Sequence, residues 1–276
     1  MRVIEVSADD ARVADYRNLT DVGWRQQMEP TEGLFLAEGE KVITRAVEAG
    51  FVPRSALMAP RWLPALAELL KPFDIEVLVA DESTLKSIVG FRLHRGALAA
   101  FGRRPASPLA QVLSDARRIV VLEDLVDHTN VGLIFRTAAA LGMDAVVISP
   151  ACADPYYRRA VKTSMGAILH LPWTVASPWP EVLADLRTEG WQLAALTPAA
   201  GAVDLRGYRP EPEQRVALLL GTEGPGLSAP ALRAANVRLR IPVTHRVDSL
   251  NVAAAAAIAC YELGGAVPSS ATHPRN

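Results

Sequence analysis

No apolar run in this chain approaches the roughly 18 residues that would span a bilayer. The start, MRVIEVSADDARVADYR, lacks the apolar stretch of a secretory signal. Both absences predict a soluble, cytoplasmic protein without membrane partners. Cysteine is scarce: Cys152 and Cys260 lie far apart and form no metal-type spacing. A disulfide between them stays open on sequence alone, but buried free thiols are what a reducing cytoplasm favours. The five histidines form no HExxH pair, and there is no P-loop or GxGxxG turn. Metal chemistry is therefore without support, and a dehydrogenase-like enzyme lacks the glycine turn that its cofactor phosphates require. Excess positive charge is missing too. The formal net charge is −1, so any contact with nucleic acid has to come from a local cluster rather than from overall charge. One such cluster exists, Arg92, His94, Arg95, Arg103 and Arg104, readable either as a solvated face or as a phosphate contact.

What the chain does have is material for a core. Half of its 276 residues are hydrophobic and 21% are charged, enough for one large domain or two ordinary ones. In the N-terminal part, apolar runs at 34–37, 55–58, 75–79 and 96–101 predict strands. Helices are predicted over 40–49, where Val42, Ile43, Ala46 and Val47 recur at helical spacing, and over 63–70. Gly50 is placed to end the first of these. RRPASPLA then reads as a linker, giving two domains, 1–106 and 107–276. The second alternates more regularly. Runs rich in Val, Leu and Ile at 118–122, 145–149, 192–196, 216–220 and 237–241 predict strands, with helices over 131–141, 179–188, 229–235 and 252–263. This is an α/β pattern with a mainly parallel sheet, whose ligands collect beyond the carboxyl ends of the strands.

Three segments fall at those ends. In DHTNVGLIFRTA (127–138), Thr129 or Asn130 can cap a helix whose free N–H groups suit an anion. Arg136, six residues after Asn130, is not stacked on the same helix face. Each residue has a plainer reading, as a cap and as a surface arginine. In LLLGTEGPGLS (218–228) a buried strand enters a turn with three glycines, and Glu223 sits in that turn, where a carboxylate has little packing value. The plainer reading is a strand-to-helix turn capped by Ser228. In the third, IPV (241–243) and VDSLNVAAA (247–255), Ser249 or Asn251 can cap an alanine-rich helix whose small residues permit close packing within the fold or against a second subunit.

Taken together, TNVGLIFRTA, LLLGTEGPGLS and IPV…SLNVAAAAAI resemble the three signature motifs of SpoU (TrmH-like) RNA ribose 2′-O-methyltransferases of the SPOUT superfamily. KTSMGAILHLPW (162–173) resembles the family's Ser-Met-Gly-Ala stretch. FLAEGEKVITRAVEAG resembles an L30e-like substrate-binding domain. Two positions depart from the family pattern: Ala253 stands where Ser is common, and Val126-Asp127-His128-Thr129 where an Asp-Pro loop is common.

The resemblance implies a trefoil knot in the C-terminal SPOUT domain and a homodimer whose active sites draw on both chains. It implies S-adenosylmethionine as cofactor, held at Thr197, Gly221, Ile241 and Leu250. It also implies Arg136 as the central catalytic residue, with Asn130, Glu223, Ser249 and Asn251 as the other polar catalytic positions. The substrate it implies is RNA, ribosomal RNA first because an L30e-like domain accompanies the catalytic one. Transfer RNA is the alternative substrate, and a non-catalytic RNA-binding or ribosome-assembly protein on the same scaffold is the alternative function.

Overall fold

The computed structural model describes residues 1–93, 96–211, 213–244 and 247–265, so His94 and Arg95 of the basic cluster lie outside the described residues. The chain forms two compact units. One comprises Met1–Pro105 with Asp154–His170, the other Ala106–Ala153 with the chain from Leu171 on.

The first unit is a five-stranded sheet in the order β1-β4-β3-β5-β2. Its strands are β1 (Arg2–Glu5), β2 (Leu34–Glu38), β3 (Pro53–Met58), β4 (Glu76–Val79) and β5 (Ala97–Gly102). The pairs β1–β4 and β3–β4 are parallel, whereas β5 runs antiparallel to both β2 and β3. Helices α1 (Val22–Thr31), α2 (Glu40–Glu48), α3 (Leu63–Leu70) and α4 (Glu82–Val89) complete it. Strand β1 and helices α1 and α4 are not legible as hydrophobic patterns. The reason is clearest at α1, where the buried residues are Arg25 and Glu29. Their ion pair at 2.6 Å has both side chains 1% exposed, so charge stands where a periodicity search expects an apolar stripe.

Asp154–His170 is a correction to the contiguous 107–276 domain. Helix α7 (Arg158–Thr163) lies in this segment, and electrostatics and ring packing fix it in the first unit. Glu38, 2% exposed at the end of β2, accepts from Arg158 Nη1 and Lys162 Nζ, both at 2.5 Å. Tyr156 stacks on Phe35 with centroids 5.2 Å apart, and Arg45 donates to the Met165 carbonyl. The same packing engages Arg103 within the fold. Its Nε donates to the Leu34 carbonyl and its Nη1 to Asp154, each at 2.6 Å. Arg104 is exposed, lies 4.0 Å over the Phe51 ring and donates to the Ala49 carbonyl.

The second unit is a seven-stranded sheet, parallel at every pairing, in the order β10-β12-β9-β11-β6-β7-β8. Its elements in chain order are α5 (Leu109–Leu113), β6 (Arg118–Glu123), α6 (His128–Ala140), β7 (Ala145–Ile148) and β8 (Trp173–Val175). Then come α8 (Val182–Thr188), β9 (Trp191–Leu196), β10 (Val203–Asp204), β11 (Arg215–Gly221), α9 (Ala229–Ala234), β12 (Val237–Arg240) and α10 (Val252–Leu263). The central strands are covered on both faces, which is why β6, β7 and β11 read as unbroken apolar runs. On one face Ile119, Val121, Leu193 and Leu219 pack with Leu183 and Leu186 of α8. On the other, α10 lies against α6 and β11. That contact needs small residues: a Cβ on Gly264 would fall 1.9 Å from the Leu141 carbonyl oxygen. RRPASPLA is not wholly linker, since α5 begins at its leucine.

Candidate active site

Strands β12, β9 and β11 are neighbours, and their carboxyl ends open into one cavity of about 280 Å³. Three loops and the start of α10 line it. Leu196 to Pro198 lie at the end of β9, Leu220 to Gly224 and Gly226 at the end of β11 and in the turn after it, and Ile241, Val243 and 248–252 follow β12. Thr197, Gly221, Ile241 and Leu250 are all in the lining, as are Glu223, Ser249 and Asn251. Val243 and Asp248, which lie within the third motif segment but were not named as site residues, also line it.

The turn after β11 owes its shape to its glycines. A Cβ on Gly221 would sit 2.3 Å from the Gly226 carbonyl carbon and the Leu227 nitrogen, so only glycine lets the chain fold back on itself here. Gly226 N–H then donates to the Thr222 carbonyl at 3.0 Å. Gly224 and Gly226 adopt φ of 84° and 73°, the left-handed region that costs other residues. The bareness of Gly221 thus serves the turn's own closure.

At the tip of that turn, Glu223 is held by two amides. Asn130 Nδ2 donates to Glu223 Oε1 at 3.0 Å, and Asn251 Nδ2 donates to the same oxygen at 2.7 Å. Asn251 Nδ2 also reaches Asn130 Oδ1 at 3.1 Å. The three residues come from α6, the β11 turn and the residue before α10, so one polar cluster joins all three motifs. Asn251 has a second task. Its Oδ1 accepts from Ala253 N and Ala254 N and caps α10, a duty that leaves Ser249 free of capping.

Helix α6 corrects two expectations. Its cap is Asp127, whose Oδ1 accepts from Asn130 N at 2.8 Å, so neither Thr129 nor Asn130 is the cap. Asn130 therefore lies inside the helix rather than in a loop before it. Arg136 is about 9 Å further along the axis and on another side. Asn130 is 8% exposed and faces the cluster. Arg136 is exposed, does not line the cavity and has no hydrogen-bonding or ionic partner among the described residues. Of the residues singled out in the sequence, seven line one cavity, Asn130 is tied to two of them, and Arg136 stands apart.

Glu123 lies outside the three motif segments. It ends β6 only 3% exposed and accepts from Trp179 Nε1, Ser228 Oγ and Ser228 N at 2.9, 2.7 and 2.7 Å. The one available signal was an acid at the end of an otherwise apolar strand.

Residues 117–261, from the edge of β6 into α10, match the SpoU rRNA Methylase family. The chain is 43% identical over 255 residues to an uncharacterised tRNA/rRNA methyltransferase of Mycobacterium tuberculosis, an alignment spanning 92% of this chain and 88% of that one. It is 29% identical over 267 residues to the 23S rRNA (guanosine(2553)-2'-O)-methyltransferase of Bacillus subtilis, across 96% of this chain and 100% of the relative. The fold superposes on the AdoMet-bound rRNA methyltransferase of Sinorhizobium meliloti with a TM-score of 0.82 and 28% identity, over 95% and 97% of the two chains. The family match takes in the whole cavity and the cluster beside it, and the chain belongs to the SpoU rRNA methylase family of RNA methyltransferases.

Proposed function

We propose that this protein methylates a ribose 2′-hydroxyl in RNA, ribosomal RNA in the first instance, using S-adenosylmethionine bound in the cavity at the ends of β9, β11 and β12. The observation that carries the reading is the Asn130–Glu223–Asn251 cluster at the edge of that cavity. The 2′-O chemistry and the ribosomal substrate draw on the Bacillus relative's activity, and the cofactor on the AdoMet-bound Sinorhizobium structure.

The cavity suits such a donor. Leu196, Leu220, Ile241, Val243 and Leu250 offer apolar lining for a purine, while Thr197, Glu223, Asp248 and Ser249 offer polar groups at the same cavity. Thr197, Gly221, Ile241 and Leu250 would hold the cofactor, which when bound supplies a methyl group on a sulfonium. A ribose hydroxyl attacks well only once its proton is lost or shared, so a group that stabilises the developing alkoxide speeds transfer. Arg136 is that group in this reading. Guanidinium stays protonated in proteins, so it acts by anchoring the neighbouring phosphate and the alkoxide rather than as a base. Asn130, Glu223, Ser249 and Asn251 orient the ribose and its phosphate.

Arg136 lies outside the cavity of its own chain, which favours a homodimer in which Arg136 of the partner subunit completes the site. The exposed apolar residues Val126, Leu133, Ile258 and Tyr261, on and beside α6 and α10, offer a surface for that pairing. A trefoil knot formed by the segment around α10 belongs to the same reading, as does an L30e-like role for the first unit in gripping RNA, where the 2′-hydroxyl distinguishes the substrate from DNA.

The test is Arg136→Ala. Methyl transfer to RNA is expected to be lost while calorimetry still detects S-adenosylmethionine at wild-type affinity. Wild-type turnover in that variant overturns the role of Arg136. Mapping 2′-O-methylation in RNA from cells with and without the protein identifies the substrate.

A further inference from the structure

We propose that Glu123 is a positioning residue for the donor cavity, holding closed the far end of the turn that lines it. The inference rests on the reading of that cavity as the cofactor site and adds a residue that none of the three motifs contains.

The turn from Gly221 to Ser228 is pinned at three places. Near its tip, Glu223 is gripped by Asn130 and Asn251. Across its neck, Gly226 N–H donates to Thr222 O. At its exit Glu123 reaches across from a neighbouring strand. The carboxylate receives three donors: Ser228 N at Oε2, and Ser228 Oγ and Trp179 Nε1 at Oε1. Ser228 Oγ gives its proton to Glu123 and accepts Ala231 N–H at 3.2 Å, so the carboxylate also fixes the rotamer that caps α9. Three donors converging on a group 3% exposed suit an ionised acid and cannot all be satisfied by an amide, which turns one of its two acceptors into a donor.

The geometry also explains why this anchor is needed. Residues 226–227 must approach Gly221 closely enough that not even a methyl group fits between them. Strand β11 is held to β6 by its ladder, with Gly221 beside Glu123 in register. Among the described residues the returning limb has no ladder, and is held by the Thr222–Gly226 bridge and the bonds from Ser228. Glu123 therefore ties the limb to the strand next to the one it left, and with it the main chain of Thr222 to Gly226 that borders the cavity.

The experiment uses the full-length chain, with Glu123→Gln, Ser228→Ala and the double variant, read by calorimetric affinity for S-adenosylmethionine, thermal melting and amide hydrogen exchange. Losing a hydrogen bond to a charged group predicts donor affinity weaker by about tenfold or more in Glu123→Gln. KM for the donor should rise with it, by more than kcat falls. Ser228→Ala should weaken affinity in the same direction, and the double variant should add little, because both changes remove one interaction. A variant that melts earlier but binds the donor as tightly as wild type refutes the proposal and leaves Glu123 a stability residue. If wild-type protein binds no S-adenosylmethionine, the cofactor reading fails by itself. Exchange at the Gly226 amide then still decides the positioning claim: faster exchange in Glu123→Gln supports it, and unchanged exchange overturns it.

Discussion

Replacing Gly221 by alanine should damage this protein more than the same change at any other glycine of the turn. An added Cβ would lie 2.3 Å from both the Gly226 carbonyl carbon and the Leu227 nitrogen, and 2.5 Å from the Gly226 oxygen. Ordinary contact begins at 3.4 Å, so the limbs must separate by about 1 Å. All three atoms are backbone, and no side-chain rotation relieves the clash. Overpacking of this kind costs up to about 3 kcal/mol, which in a chain of this size lowers Tm by about 6–12 °C. Gly224 is the internal control. A Cβ there meets nothing within 4 Å, and the penalty comes only from its φ of 84°. That costs about 1 kcal/mol, or about 2–4 °C. Melting curves of the two variants, with calorimetric titration of S-adenosylmethionine, separate steric from conformational cost. Gly221→Ala should also lose donor affinity, because the limb it displaces lines the cavity. Equal melting temperatures for the two variants, or wild-type affinity in Gly221→Ala, would refute the argument that the turn closes only around a bare Cα.

Glu38→Gln should destabilise the protein by about 2 kcal/mol in denaturant unfolding, since it removes the charged acceptor shared by Arg158 and the half-exposed Lys162; unchanged stability would mean solvent already screens the pair. Burial pushes the Cys260 thiol up to about 12 and raises that of Cys152 as well, against a weaker opposing hydrogen bond from Ser149. At pH 8 about one Cys260 in ten thousand is then thiolate, so Cys260 should not react with a thiol reagent before unfolding. Because the folded Cys260 value is raised, its contribution to stability is complete below the ordinary thiol value of 9.0 and is lost as pH climbs from there towards 12. Titration of free thiols in native and denatured protein checks the first point, and melting between pH 8 and 10 the second. Arg103→Gln should lower Tm and leave the salt dependence of RNA affinity unchanged, because its guanidinium is spent on Leu34 and Asp154. Arg104→Gln is the variant in which a shallower slope would reveal a phosphate contact.

Sequence alone determined most of what is local. Strands buried on both faces must be apolar throughout, so β6, β7, β9 and β11 announced themselves as runs, and their alternation with helices fixed the parallel sheet. A turn that must close around a bare Cα has to contain glycine, and LLLGTEGPGLS displayed it. What escaped was whatever depended on partners distant in the chain. Helix α1 buries an ion pair instead of an apolar stripe. The segment 154–170 leaves its own sequence neighbourhood because Arg158 and Lys162 answer a carboxylate more than 100 residues earlier. Arg103 became a structural strut through Asp154 in the same way. Glu123 could not be told from a surface acid until Ser228 and Trp179 were brought to it. Spacing can say which residues stand at strand ends, but only the folded chain decides which of those ends meet, because a hydrogen bond of about 3 Å is indifferent to the number of residues that separate its partners.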